Sequence, residues 1–211
     1  MDERLKQQVD FLLELDKEKF IGRQTYLHDG IRKENDAEHA WHMSVMAILL
    51  SEYANEELDL LKVITMILMH DVVEIDAGDS YAYDAAAQST AAEREEKAAE
   101  RLYGMLPPDQ AEKFYKLWRE FEDRETPEAK FARTMDNFQP LMLNNATKGK
   151  AWDERGINIE QVYKRNARSM EGSEKLWEYA NRNFIRPNVE SGKLKGEWKD
   201  FEAGKGWTEN K

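Results

Sequence analysis

The chain of 211 residues has no cysteine, five prolines, eleven glycines and four histidines. Without cysteine there are no disulfides, no zinc-thiolate sites and no thiol nucleophile, and a cytoplasmic setting is expected. No apolar run approaches the roughly 20 residues that a membrane-spanning helix needs. The first residues, Met1-Asp2-Glu3-Arg4, are polar, so no secretory leader is expected there. Basic charge is also short: 31 lysines and arginines stand against 42 acidic residues, a net charge of −11. That balance argues against a nucleic-acid surface. An anionic substrate would need a metal or a local basic cluster to overcome the overall field.

With few breakers and short β-branched runs, apolar residues recur at helical spacing along most of the chain. The pattern predicts an all-α, single-domain helical bundle over residues 1–190, followed by a polar tail, 191–211, lying extended on the surface. Asp2 is placed to cap a first helix carrying Leu5, Val9, Leu12, Leu13 and Phe20. Residues 21–36 are polar and read as a loop. Asn35 or Asp36 can cap a second helix to about Tyr53, with Trp41, Val45, Ile48, Leu49, Met43 and Met46 as its apolar positions. A third helix, about Glu57 to Val73, is apolar nearly all round and should be central. Thr90 is placed to cap a charged helix, and Pro107-Pro108 separates it from one running to about Arg124. Thr126-Pro127 starts another that Pro140 should kink or end. Asn158 can cap a last helical region, which Pro187 interrupts.

The residues that carry chemistry cluster in Met66–Asp79. An apolar run delivers His70-Asp71, Glu74 follows four residues after the histidine, and a Gly78-Asp79 turn comes next. His39 lies in the first turn of the second helix. If the second and third helices form an antiparallel hairpin, His39 faces His70 and Asp71. Asp136, an aspartate in the otherwise apolar or small stretch Phe131–Met135, is the candidate fourth ligand. Two imidazoles and two carboxylates suit Mn²⁺, Co²⁺, Fe²⁺, Ni²⁺ or Zn²⁺ better than Ca²⁺. Glu74 and Asp79 are then placed to move protons, in an order that spacing does not decide.

Each residue also has a plainer reading. A lone His-Asp pair is a weak signal, His39 could be an ordinary helix-start residue, and Asp136 could pair with Arg133. His42 reads as packing or as a support for His39, His28 as a solvated loop residue, and the methionines as core filler. The run Glu93-Arg94-Glu95-Glu96 reads as a solvated helix face.

Taken together, His39, His70-Asp71 and Asp136 resemble the H…HD…D signature of the HD-domain metal-dependent phosphohydrolases. Arg32–His39, His70–Glu74 with Gly78-Asp79, and Trp118–Glu122 with Glu128–Lys130 resemble its 5′-deoxynucleotidase branch over about residues 5–185. The resemblance implies His39, His70, Asp71 and Asp136 as metal ligands and Glu74 and Asp79 as catalytic carboxylates. It also implies Mn²⁺ or Co²⁺ as the activating ion, a homodimer, and hydrolysis of nucleoside 5′-monophosphates. Arg32 is expected to contact the phosphate, and Glu122 to face the cavity. The branch carries an Arg-Trp pair that selects deoxyribose, and the corresponding positions here read Gln24-Thr25. Two alternatives stay open: hydrolysis of another phosphate ester, and a non-catalytic metal- or nucleotide-binding module. A Gly-Tyr-Pro motif is absent, which argues against a cyclic-dinucleotide substrate.

Overall fold

A computed structural model describes residues 2–79, 83 and 85–198. Asp2 accepts from the Leu5 amide and starts α1, Glu3–Leu15. A 3-10 turn, Asp16–Phe20, leads to β1, Gly22–Tyr26, and β2, Lys33–Asn35, which pair antiparallel. This small ribbon occupies the stretch that polarity had marked as a loop. Asn35 and Glu38 close a capping box at the start of α2, Asp36–Leu50, satisfying two amides that a helix start leaves open.

Asp59 caps α3, Leu60–Met69. The chain then tightens into a 3-10 turn, His70–Val73, before α4, Glu74–Ala77. The helix expected to run to Val73 therefore ends at Met69 and gives way to a tighter turn. Gly78, at φ +74°, ends α4 in a conformation that other residues adopt only with strain. The next helix, α5, spans Ala85–Tyr103, so Thr90 lies inside it rather than at its cap. It is followed by α6, Pro108–Asp123, and α7, Pro127–Ala146. Then come α8, Lys150–Arg155, α9, Ile159–Asn166, α10, Glu174–Ala180, and α11, Arg186–Glu190.

The central element is α7 rather than α3. Its buried residues include Phe131, Met135, Asp136, Phe138 and Leu141, whereas Leu61 and Leu68 of α3 are exposed. Pro140 does not end α7, which continues to Ala146. A proline has no amide hydrogen, so the Asp136 carbonyl loses its helical donor there. The larger core gathers Met43, Met46, Val63, Ile67, Phe121, Phe131, Met135 and Trp152, and a smaller one packs Phe11, Val72 and Leu102 beneath α5. On α2 the inward face is His39, Ala40, Met43 and Ala47. The large residues Trp41, Ile48 and Leu49 face outward, at 65, 54 and 66 % exposure.

The tail also differs from its expectation over its described part. Leu194 is buried in the larger core, and the Lys195 amide and carbonyl bond Ile157 and Ile159. Trp198 packs against that core, with Arg186 over its ring. Residues 199–211 lie outside the described part. Among the described residues, no helix is long and apolar enough to cross a membrane.

Candidate metal centre and catalytic cavity

Local geometry first aligns the carboxylates. In a 3-10 turn residues i and i+3 eclipse. Asp71 and Glu74 therefore fall on one side, and with Asp36 from the start of α2 they offer oxygens within 4.8 Å of one another. His70 sits on the same turn, beside His39, with ring centroids 6.0 Å apart. From α7, Asp136 completes the junction: its Oδ1 is 3.3 Å from His39 Nε2 and 4.0 Å from His70 Nε2. His39, His70 and Asp136 present ligand atoms within 4.8 Å of one another, and all three are buried. Asp71 Oδ1 lies 2.9 Å from His70 Nε2. The four expected ligands thus converge.

The donor chemistry fits a cation. His70 Nδ1 is 2.7 Å from the Ile67 carbonyl, which can only accept, so Nδ1 carries the proton. In the neutral ring Nε2 then presents a lone pair. It is buried without a hydrogen bond, although the Asp71 oxygen is close. A positive body between these two atoms, a proton or a metal ion, offsets the burial of both. Behind His39, Glu34 Oε1 lies 3.6 Å from Nδ1, and Gln139 donates to Glu34 Oε2 at 2.7 Å. This is a carboxylate behind an imidazole, the kind of support that orients a metal-binding histidine. His42 joins it from the other side, with Nδ1 3.4 Å from Gln139 Nε2.

The electrostatics are polarised. Burial works against charge on Asp71, but His70 and Arg23 outweigh it and hold the carboxyl well below its ordinary range. Burial is likewise overcome at Asp136 by the hydrogen bond from His39 and the charge of Arg165. Glu74 goes the other way: burial and the charges of Asp71 and Asp36 push it well up. Burial and Asp71 also raise Asp36, to about 7. Burial is the main cause that raises Asp79. At His39, burial and Arg23 oppose protonation, but the hydrogen bond with Asp136 and the nearby Glu34 carboxylate lift it to about 9.

These groups open into a cavity of about 200 Å³. His70, Asp71, Glu74, Asp79, Glu122 and Asp136 line it, together with Gln24 and Thr25. Arg32 does not. Glu38 is fixed on the surface as the third helical residue of the capping box, and it captures the Arg32 guanidinium with two bonds of 2.6 and 2.8 Å. The cavity's guanidiniums are instead Arg23, Arg124, Arg133 and Arg165. Arg23, one residue before Gln24-Thr25, reaches Asp71 Oδ2 at 2.9 Å and Asp36 Oδ1 at 3.2 Å. Sequence reasoning passed over it. The visible signal was an arginine immediately beside the two positions compared with the Arg-Trp pair. Arg133 sits one helical turn before Asp136, a detectable relationship, whereas Arg165 and Arg124 reach the cavity only through tertiary packing.

The HD-domain family profile matches residues 15–177, which hold every group of this junction. Among curated proteins, the 5′-deoxynucleotidase HDDC2 of Bos taurus is 28 % identical over 135 residues, 64 % of this chain and 64 % of that protein. Its human counterpart is 27 % identical over 135 residues, 64 % of this chain and 65 % of that protein. The match thus spans less than two thirds of these relatives' length. A solved structure from Magnetospirillum magnetotacticum MS-1, named a predicted metal-dependent phosphohydrolase, is 47 % identical to this chain. It superposes with a TM-score of 0.87 over 92 % of this chain and 96 % of its own. By its matched sequence and by its helical architecture, the chain belongs to the HD-domain family.

Proposed function

We propose that this protein is a divalent-metal-dependent phosphohydrolase that converts nucleoside or deoxynucleoside 5′-monophosphates to nucleoside and phosphate. The observation that carries the reading is the convergence of His39, His70, Asp71 and Asp136 at one cavity, whose walls also carry the carboxyls of Glu74, Asp79, Glu95 and Glu122 and four guanidiniums. In this reading those four residues hold the ion, which is Mn²⁺, Co²⁺, Fe²⁺, Ni²⁺ or Zn²⁺. A bound ion of this kind supplies Lewis acidity and neutralises developing phosphoryl charge. Glu74 and Asp79 handle the two protons of the hydrolysis: one leaves the attacking water and one reaches the departing alcohol oxygen. Arg23 holds Asp71 and Asp36 in place. The relatives named 5′-deoxynucleotidase support the nucleotide class, and Gln24 and Thr25 line the cavity where the sugar would be read.

The proposal includes a homodimer. Trp41, Ile48 and Leu49 of α2 and Leu61 of α3 leave large apolar side chains exposed on two helices that pack together. A second copy of the chain would cover them. It also places the enzyme in the cytoplasm, a setting compatible with a cysteine-free chain.

Free-phosphate release from matched ribo- and deoxyribonucleoside monophosphates tests the activity. Turnover that chelator abolishes and Mn²⁺ or Co²⁺ restores is the expected result. Failure to release phosphate from any monophosphate, with the metal bound, contradicts it.

A further inference from the structure

Arg124 is unusual twice over. It follows α6 with φ +56°, the left-handed conformation that usually falls to glycine at this position. A side chain is strained in that conformation. That side chain lines the cavity, and among the described residues its guanidinium has no carboxylate within ion-pair distance. Its neighbours do have partners. Arg133 pairs with Glu122 at 2.6 Å and reaches Asp136 Oδ2 at 3.4 Å, with its guanidinium 4.0 Å above the Phe121 ring. Arg165 lies 3.6 Å from the same Asp136 oxygen. The other Asp136 oxygen faces the imidazoles.

This wall therefore gathers three guanidiniums beside Glu122, Asp136 and Glu95, in a chain whose net charge is −11, and only Arg124 among the three lacks a carboxylate partner among the described residues. Burial, then the charge of Glu122, raise the Glu95 carboxyl above its ordinary range. Burial and the charges of Arg133 and Arg165 lower Arg124, to about 10, so it remains a cation near neutrality. An unpartnered, partly buried cation beside two others is costly unless an anion joins it. Guanidiniums suit phosphate oxygens because they donate in a planar fork.

We infer that Arg124, Arg133 and Arg165 form the phosphoryl-binding wall, and that Arg124 is the residue that selects a terminal, doubly charged phosphate over a singly charged diester. That the selected phosphate belongs to a substrate rests on the phosphohydrolase reading; the anion site itself does not. Arg133 and Arg165 are already partly neutralised, so the second charge of the ligand falls to Arg124.

The test is calorimetric titration of the metal-loaded protein with inorganic phosphate and with dimethyl phosphate at pH 8. Arg124→Asn removes the guanidinium while keeping a residue that tolerates the left-handed conformation. Phosphate binding is expected to weaken on the order of tenfold to a hundredfold, since bonds to charged groups contribute about 1.5–3 kcal/mol. Dimethyl phosphate binding should change less than about threefold, on the same argument that its single charge is met by the other two arginines. Arg124→Lys should restore part of the loss. Should Arg124→Asn fold poorly, Arg165→Gln must weaken phosphate binding in its place. No phosphate binding by the parent, binding indifferent to both variants, or equal losses for the two probes overturns the inference. Arg124-dependent phosphate binding in a protein that hydrolyses no monophosphate keeps the inference and removes the hydrolase reading. Full turnover with phosphate binding indifferent to Arg124 does the reverse.

Discussion

His39 Nε2 and Asp136 Oδ1 lie 3.3 Å apart although 97 residues separate them in the chain. Both are buried, one at the start of α2 and the other in the middle of α7. Holding this pair in an apolar interior costs desolvation that a hydrogen bond only partly offsets. In the proposed reading, a cation shared with His70 and Asp71 offsets that cost.

A metal held there would be part of the folded state's stability. Ligand that binds only the native state stabilises it by about 2.7 kcal/mol at a hundred times its Kd. For a chain of this size, that corresponds to a rise in Tm of about 5–10 °C. The parent should show this rise on adding Mn²⁺ in a thermal melt. Asp71→Ala should show almost none and should bind metal at least about 100-fold more weakly, in line with the loss of one charged ligand. An unchanged metal-dependent rise would remove Asp71 from the ligand set.

The sequence exposed this junction unevenly, for physical reasons. His70-Asp71 and Glu74 were legible because a short local turn carries all three. Asp136 stood out as a charge among apolar and small neighbours. The inward face of α2 was not legible because Trp41, Val45, Ile48 and Leu49 are as apolar as the residues that point inward. A helix apolar on several sides leaves its inward face to its neighbours, which chose the smaller Ala40, Met43 and Ala47. The ribbon Gly22–Tyr26 with Lys33–Asn35 was hidden by its polar composition. Arg124 and Arg165 had no local signature, since the packing of α6, α7 and α9 brings them into the cavity.

Glu74→Gln separates catalysis from assembly. The amide keeps the volume and cannot take a proton as a carboxylate does. Metal content should match the parent, while kcat falls about 100- to 10,000-fold, the range that a positioned acid or base supplies. Equal kcat in parent and variant would take Glu74 out of the chemistry.

Glu18 provides a pH handle. It is 7 % exposed. Burial, then the charges of Asp71 and Asp36, raise its carboxyl to about 8, from an ordinary value of 4.5. Between those two values the folded chain holds a proton that the unfolded chain has released. Stability linked to Glu18 is therefore fully present below pH 4.5 and is lost as pH rises through about 8. Glu18→Gln, measured by thermal melts in chelator, should match the parent near pH 5 and exceed its Tm by about 5 °C near pH 9. A difference independent of pH would show that Glu18 is not held protonated.

The outward apolar face of α2 predicts its own result. Ile48→Glu places a charge where the partner copy would sit. Sedimentation should find the parent as a dimer and the variant largely monomeric, with the same metal content. A monomeric parent would leave that face unexplained.

Elemental analysis of the purified protein is the most direct test, run beside His70→Ala and Asp136→Ala variants shown by circular dichroism to be helical. The account predicts about one transition-metal equivalent per chain in the parent and almost none in either variant. A parent without metal even after incubation with Mn²⁺ or Co²⁺, or variants that retain the parent's content, would contradict it.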